Sequence, residues 1–237
     1  MTTPQKVAMQ PITVEFPLRG DWTAVHTPAE KVPSHGVDVL GQTYAYDFMK
    51  VDWGKDGFIF HDKSTLRFFT VGVSVNDCYG FGEPIYSPVK GEVVMVEDGL
   101  KDHRWVHPIK DFLAMLVRSL YMWLSNKPNL HKIIGNYFIV KIDGMEAYAF
   151  FAHAKKNSIK VNPGDKVQYG QHVANVGHTG NSSAPHLHFH LMDQPNLLTA
   201  HGLPCNFSEY KAFNDGVWVS KRYEMPAKRE QICVKEA

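Results

Sequence analysis

Three histidines alternate with apolar residues in the segment PHLHFHLMD. They are His186, His188 and His190. Residues two apart on a strand point to the same face, so a strand here would place three imidazoles on one side and Leu and Phe side chains on the other. Buried imidazoles need polar partners, and neutral imidazole is a good zinc ligand. An exposed histidine strand without a function is the alternative, but the apolar opposite face favours a core strand with a metal site.

A zinc site needs ligands from elsewhere in the chain, and the segment PSHGVDVLGQTYAYDF offers an imidazole and two carboxylates. These are His35, Asp38 and Asp47. Asp47 lies in an apolar run between two aromatic residues, where an ionised carboxylate is costly unless it is paired or bound to a metal. A solvent-facing Asp47 at a strand end is the alternative, and Asp38 is the competing carboxylate. His153 ends the aromatic run YAFFAH and is either part of the site or an exposed loop histidine.

The elements that would position these residues are mostly short strands. They are rich in Val, Ile, Tyr and Phe and are separated by Gly, Pro and Asn-Asp turns. The pattern predicts a mainly β fold, a sandwich or barrel. The predicted strands are Thr13–Pro17, Tyr44–Lys50, Glu92–Glu97, Tyr137–Ile142, Ala147–His153, Val173–Val176, His186–Met192 and Val217–Tyr223.

One amphipathic helix interrupts this pattern over about residues 108–126. Pro108 suits a first helical turn, and the stretch 126–128 gives a stop. Apolar residues recur at steps of mostly three and four, which places them along one stripe. We expect this stripe to pack on the sheet; a membrane-surface or partner-binding helix is the alternative. The stripe is Ile109, Phe112, Leu113, Leu116, Leu120 and Leu124.

Composition narrows the class of protein. The 237 residues carry 25 Lys and Arg against 24 Asp and Glu, so there is no basic excess of the kind that binds nucleic acid. Cys78, Cys205 and Cys233 are too few and too far apart for a disulfide framework or a paired-cysteine metal site, which predicts free thiols. No apolar stretch is long enough for a membrane span. No secretory signal is recognisable, so the cytoplasm is the default expectation, and export by another route is the alternative.

Taken in order, several motifs between Val32 and Asp193 resemble the lysostaphin-type zinc metallopeptidases, a family of duplicated-hybrid-motif peptidases that includes cell-wall hydrolases. The motifs are YAYDF, SPVKGEVV, GNYFIV, YAFFAH, VNPGDKVQYGQHVANVGHTGNS and PHLHFHLMD. The tail GLPCNFSEY also fits a subset of that family. The resemblance implies a compact antiparallel fold of the barrel-sandwich hybrid type. It predicts one domain over residues 1–237, with a core over about 32–193, the helical insertion and a C-terminal β extension over about 200–225.

The resemblance also implies roles for the candidate residues. One zinc ion would be held by His35, Asp47 and His188, with His153 and His186 as catalytic histidines beside the bound water. His35 and Asp47 are twelve positions apart. This follows the expanded His…Tyr-Ala-x-Asp form that some members carry. His190 occupies a position that is often acidic or an amide in the family, and its role stays open.

The implied activity is zinc-dependent hydrolysis of peptide bonds, with peptidoglycan cross-bridge peptides as the expected substrate. Tyr44, Tyr46 and Tyr148 are candidate walls of a substrate groove, although aromatic residues of this kind are also common in cores. Two other functions stay open. One is a non-catalytic binding or scaffold protein of the same fold, and the other is a histidine phosphocarrier domain. A carboxylate such as Asp47 disfavours the phosphocarrier because it would repel a phosphoryl group.

Overall fold

The computed structural model describes residues 9–55, 58–125 and 129–235 and shows a mainly β protein. Each of the eight predicted strands overlaps an observed one, which confirms the predicted fold class. The predicted helix stop at 126–128 and the two chain ends lie outside the described residues. The strands are β1 Ile12–Val14, β2 Gly20–His26, β3 Tyr46–Met49, β4 Val73–Ser74, β5 Pro84–Tyr86, β6 Gly91–Glu97, β7 Trp105–Val106, β8 Asn136–Ile142, β9 Tyr148–Ala154, β10 Lys166–Val167, β11 His172–Asn175, β12 Leu187–Met192, β13 Gly202–Leu203, β14 Cys205–Phe207, β15 Tyr210–Asn214, β16 Val217–Lys221 and β17 Gln231–Val234; the helices are α1 Thr65–Thr70, α2 Pro108–Leu124 and α3 Leu130–Ile134.

One large antiparallel sheet organises the molecule. Its strands run in the order β10, β6, β8, β9, β12, β3, β2, β17, β15 and β16, with β13 paired to β12. Strand β12 therefore has β9 on one side and β3 on the other. Because these three neighbours carry His153, His188 and Asp47, the sheet order alone brings distant parts of the chain together.

Strand β12 follows the alternation that the sequence predicted. Leu187, Phe189 and Leu191 are fully buried in the main hydrophobic cluster, together with Trp22 and Phe138 from other strands. Burial of side chains of this size contributes roughly 1.5–3 kcal/mol each. The apolar face thus anchors the strand in the core and leaves the histidine face turned toward a cavity.

Helix α2 begins where the sequence predicted, and its first turn is capped by local side chains. Nδ1 of His107 accepts the N–H groups of Ile109 at 3.3 Å and Lys110 at 3.4 Å. The Asp111 carboxylate accepts the N–H of His107 at 2.6 Å. Pro108 occupies the first turn, where its missing N–H costs nothing.

The apolar stripe of α2 does not pack on the sheet, so that expectation is wrong. Ile109 is 59% exposed and Leu124 is 63% exposed, and the four stripe residues between them are also exposed. Leu116 is the stripe residue that lines the cavity over the sheet. At 17 residues α2 is the longest described helix, and none of the described helices combines the length and hydropathy that a bilayer crossing requires.

The three cysteines are free, as predicted. Cys78 and Cys205 are buried and Cys233 is half-buried. Burial raises the pKa of the Cys78 thiol to about 12, so this thiol stays protonated and packs as a small apolar side chain.

Candidate metal centre

Asp47 lies at the centre of the candidate site and is surrounded by imidazoles. Its Oδ2 lies 2.9 Å from Nε2 of His35 and 3.0 Å from Nδ1 of His26. Its Oδ1 lies 2.8 Å from Nδ1 of His188 and 3.6 Å from Nε2 of His186. Asp47 is buried in the middle of a strand, which excludes the interpretation that it is a solvent-facing strand end.

The register of the central strands produces this convergence. His188 on β12 is paired with Asp47 on β3 and with Ala152 on β9. A register irregularity between β2 and β3 places His26 opposite Asp47 as well. His35 comes from the loop before β3, and the Ser34 hydroxyl contacts its Nδ1 at 3.0 Å, which leaves Nε2 facing the carboxylate.

The charge of the Asp47 carboxylate and the protonation of the neighbouring imidazoles depend on each other. Burial by itself would raise the pKa of Asp47, but the nearby imidazoles and their hydrogen bonds outweigh it and hold that pKa well below its usual value. For His35, burial opposes the charged form, yet the charge and hydrogen bond of Asp47 raise its pKa. Burial lowers the pKa of His188 despite its bond to Asp47. The carboxylate is therefore ionised and at least one partner ring is neutral at pH 7.

The two histidines predicted to be catalytic lie side by side next to this group. Their ring centroids are 4.7 Å apart. Nδ1 of His153 lies 2.9 Å from the carbonyl oxygen of Thr179, and Nδ1 of His186 lies 2.7 Å from that of Ala184. Since a carbonyl can only accept, Nδ1 carries a proton in both rings, and Nε2 is the nitrogen left for a ligand.

His153 is held in an uncommon backbone conformation. Its φ is 63°, in the left-handed region that costs energy for a residue with a side chain. Burial, followed by repulsion from His186 and His188, holds the pKa of His153 well below its usual value. The ring is therefore neutral and able to accept a proton. Strain and burial of this kind are typical of functional sites.

A cavity of about 300 Å³ opens over the carboxylate and the histidines. Met115, Leu116 and Ser119 of α2 form part of its wall, and Ile133 and Ile134 of α3 form another part. The site is thus reached from a space that is apolar on the helical side and polar on the sheet side. This arrangement suits a ligand with a polar backbone and small or apolar side chains.

The candidate residues differ in where the structure places them. His35, Asp47, His153, His186 and His188 are brought together. Asp38, the competing carboxylate, is exposed and accepts a hydrogen bond from the Thr43 hydroxyl, and it is not part of the cavity wall.

The three tyrosines predicted as groove walls are not in the described cavity wall. Tyr46 is fully buried, and its hydroxyl donates to the carbonyl of Cys205 at 2.7 Å, so it is a core residue. Tyr148 is buried in a second apolar cluster with Phe150. Tyr44 is half-buried outside the cavity. Tyr46 precedes Asp47 on β3 and therefore faces the opposite side of the sheet, whereas Tyr44 lies in a short 3-10 turn before β3.

His26 is a site residue that the sequence did not indicate. It ends β2 as a lone histidine 21 positions before Asp47. Within the described chain, His26, His35 and Asp47 also form a group whose ligand atoms lie within 4.8 Å of one another. A lone histidine has no spacing signal, and only the pairing of β2 with β3 reveals it.

Residues 122–199 match the model of Peptidase family M23. The predicted resemblance to these metallopeptidases is confirmed. The matched segment contains the two histidines predicted to be catalytic and His188, whereas His35 and Asp47 precede it. The match supports a hydrolase of the metallopeptidase class.

Solved structures of the same kind are similar to the chain at low identity. The catalytic domain of lysostaphin from Staphylococcus simulans is 18% identical, covering 70% of this chain and 80% of that one at a TM-score of 0.37. A zinc-containing peptidase from Vibrio cholerae is 23% identical, covering 60% of this chain at a TM-score of 0.32; the match spans only 35% of that protein. The deep-sea M23 metalloprotease pseudoalterin is 12% identical, covering 93% of this chain and all of that one at a TM-score of 0.42.

Proposed function

We propose that the protein is a zinc-dependent metalloendopeptidase. The observation that carries this is the buried Asp47 carboxylate, which has imidazole nitrogens of His35 and His188 within 3 Å. A buried anion ringed by neutral or titratable imidazoles is the donor chemistry that zinc prefers. These three residues would hold the ion, and three protein ligands leave a coordination position for water, as in catalytic zinc sites.

When bound, zinc lowers the pKa of its water toward about 7 and polarises a peptide carbonyl. His153 and His186 supply the proton chemistry of the protein itself. In both rings Nδ1 is bonded to a backbone carbonyl and Nε2 is the nitrogen left for a ligand, and His186 Nε2 lies 3.6 Å from Asp47 Oδ1. One ring would accept the proton of the attacking water at Nε2 and pass it to the leaving amine. The other would have to carry a proton from solvent on Nε2 in order to donate a hydrogen bond to the substrate oxygen. Both Nδ1 atoms are fixed by backbone carbonyls, which keeps the rings oriented.

The substrate class that we propose is an extended peptide with small side chains, such as a peptidoglycan cross-bridge. One wall of the cavity is formed by β9 and β12, and histidine side chains of these strands line it. A chain rich in glycine would bring its amide groups close to His153 and His186 without steric conflict.

Metal content and hydrolysis of a glycine-rich fluorogenic peptide test this proposal together. We expect the purified protein to bind one zinc ion and to cleave the peptide. His188→Ala should lose both zinc and activity, because it removes a ligand. His186→Ala should lose activity but keep zinc. Full zinc stoichiometry in His188→Ala overturns the ligand set, and loss of zinc in His186→Ala overturns its catalytic role.

A second variant separates the two possible ligand sets. His26→Ala should keep zinc if the ion is held by His35, Asp47 and His188. If His26→Ala loses zinc while His188→Ala keeps it, the ion sits instead among His26, His35 and Asp47. His172→Ala is the matched control, because His172 lies on β11 with its Nε2 near Asn175 and outside the cavity wall.

The two other functions considered from the sequence have less support. A scaffold protein would not need a buried carboxylate beside two histidine rings that backbone carbonyls hold in place. A phosphocarrier would place a phosphoryl group on His153 or His186, but Asp47 Oδ1 lies 3.6 Å from His186 Nε2. The negative charges would repel each other at that distance. Incubation with phosphoenolpyruvate and a phosphotransferase should therefore leave both histidines unmodified.

A further inference from the structure

A broad apolar surface covers one side of the molecule, and we call it the apolar platform. It consists of the exposed apolar side chains of α1, of Trp105 and of α2. Leu66 is 75% exposed, and Phe112 and Leu120 are each 54% exposed. Helices α1 and α2 contact each other, so their exposed apolar residues lie on neighbouring elements. Single exposed apolar residues are ordinary, but a group of them on two neighbouring helices is typical of an interaction site.

Three positively charged residues flank the platform in the sequence. Arg67, Arg104 and Lys110 are exposed and lie next to its apolar residues in the chain. None of the three forms an ion pair with a carboxylate in the part of the chain that the structure describes. Two carboxylates close to them in the sequence accept backbone N–H groups: Asp111 at 2.6 Å, and Asp102 at 2.7 and 2.9 Å. We call the three unpaired cations the cationic rim of the platform.

We propose that the apolar platform docks on an anionic lipid surface. An interfacial helix inserts its apolar face into the headgroup and acyl boundary while neighbouring Lys and Arg side chains contact anionic headgroups. Helix α2 has the required Phe, Leu and Tyr side chains on one side, and it is too short to cross a bilayer. A second copy of the chain fits less well, because a symmetric interface would bring the two cationic rims together.

This docking would place the candidate metal centre at the lipid surface. Leu116 belongs both to the apolar platform and to the wall of the cavity over Asp47. A lipid-bound molecule would therefore meet peptides that are themselves attached to or concentrated at a membrane. The proposal stands on the surface alone and does not depend on the peptidase activity.

Cosedimentation with lipid vesicles tests the platform. The probes are vesicles of phosphatidylcholine alone and of equal parts phosphatidylcholine and phosphatidylglycerol. We expect the full chain to bind the anionic vesicles and to bind the neutral ones weakly. The double variant Phe112→Ser/Leu120→Ser should reduce binding at least about tenfold, because two apolar side chains no longer insert. Val217→Ser/Val219→Ser removes exposed apolar residues from the edge strand β16 and should bind like the wild type.

A charge variant tests the cationic rim separately. Arg104→Glu/Lys110→Glu should weaken anionic binding by about fivefold or more per position. All variants change exposed residues, so unchanged thermal melting verifies their fold. The proposal is overturned if the wild type binds neither vesicle, or if the Phe112 and Leu120 changes leave binding unaltered. It is also overturned if the platform drives self-association, seen as concentration-dependent dimers in sedimentation equilibrium that the same double variant abolishes.

An independent observation concerns His190, whose role the sequence left open. The residue is buried on β12, and its Nδ1 lies 3.1 Å from Nε2 of His188. Its ring is stacked on Phe150 with a centroid distance of 4.7 Å. It touches His188 on the nitrogen opposite to the one that faces Asp47.

His188 is thus contacted on both ring nitrogens, by Asp47 on Nδ1 and by His190 on Nε2. Without a metal, Nδ1–H of His188 donates to Asp47 and Nε2 accepts from Nδ1–H of His190. When Nδ1 of His188 gives its lone pair to an ion, its proton must reside on Nε2 and the direction of the bond reverses. We infer that His190 is a positioning residue that supports both tautomers of His188. This inference rests on the proposed function, because it requires His188 to be a ligand.

Zinc affinity, measured by competition with a chromogenic chelator, tests His190. His190→Gln keeps an amide that can accept or donate, and it should stay within a few-fold of the wild type. His190→Phe keeps the ring volume but no polar atom, and it should weaken zinc binding about 10–100-fold. Equal affinity of the wild type and the Phe variant overturns this role while leaving the metal site intact. A wild type that binds no zinc would instead overturn the proposed function itself.

Discussion

His178 gives the protein a specific dependence of stability on pH. The residue is fully buried, and its Nδ1 lies 3.0 Å from the hydroxyl of Ser182. Burial, followed by repulsion from His103 and His186, lowers the pKa of His178 from 6.5 to about 3. The folded protein therefore keeps this imidazole neutral over the whole range in which a histidine of the unfolded chain takes up a proton.

The sign and size of this effect of pH on stability follow from the linkage between proton binding and folding. Because the pKa in the fold lies below the unfolded value, the unfolded chain binds the extra proton as the pH falls below about 6.5. The contribution of His178 to the free energy of unfolding is thus fully present above that pH. It is lost toward pH 3 at about 1.4 kcal/mol per pH unit. Between pH 7.5 and 5.5 the free energy of unfolding should drop by about 1.4 kcal/mol on account of this residue.

His178→Asn isolates the effect, because asparagine keeps an N–H donor toward Ser182 and does not titrate. Urea unfolding of the chelator-treated wild type and variant, at pH 5.5 and at pH 7.5, gives four free energies. Contributions from the other buried histidines are common to both proteins and cancel in the difference. We expect the drop on acidification to be smaller in the variant by about 1.4 kcal/mol. An equal drop in the two proteins would refute the claim that His178 is held neutral by burial.

Three further outcomes are expected. Tyr46→Phe should destabilise the fold by about 1–3 kcal/mol, since the buried carbonyl of Cys205 loses its donor; an unchanged urea midpoint contradicts this. Gly135→Ala should cost more stability than Gly144→Ala, because both have φ near 80° but only at Gly135 would the new Cβ lie 2.5–2.7 Å from atoms of Thr179; equal melting temperatures would exclude this close approach. Removal of zinc with phenanthroline should lower the melting temperature and stop peptide cleavage, with recovery on adding zinc, because a ligand bound only by the folded state stabilises it; melting that is insensitive to the chelator argues against a bound ion.

Features that depend on local pattern could be predicted from the amino-acid sequence. The alternation in β12 distinguishes the buried Leu and Phe face from the histidine face, since strand geometry has a period of two. An aspartate within an apolar strand indicates a compensated charge, and Asp47 is indeed surrounded by imidazoles. The start of α2 at Pro108 also follows from local chemistry, because capping involves residues within one turn.

Features that depend on partners far away in the chain could not be predicted from local pattern and are seen only in the folded structure. His26 reaches Asp47 through the pairing of β2 with β3, and a single histidine carries no periodic signal of that register. Tyr46 lies on the same strand as Asp47, but its side chain points into the core. There it contacts Cys205, which is 159 positions away in the chain. The exposure of the apolar stripe of α2 could not be predicted, because periodicity defines the apolar face of a helix but not which element packs against it. The local sequence determines which side chains lie on the same face of an element. Long-range strand pairing and packing determine which residues contact that face.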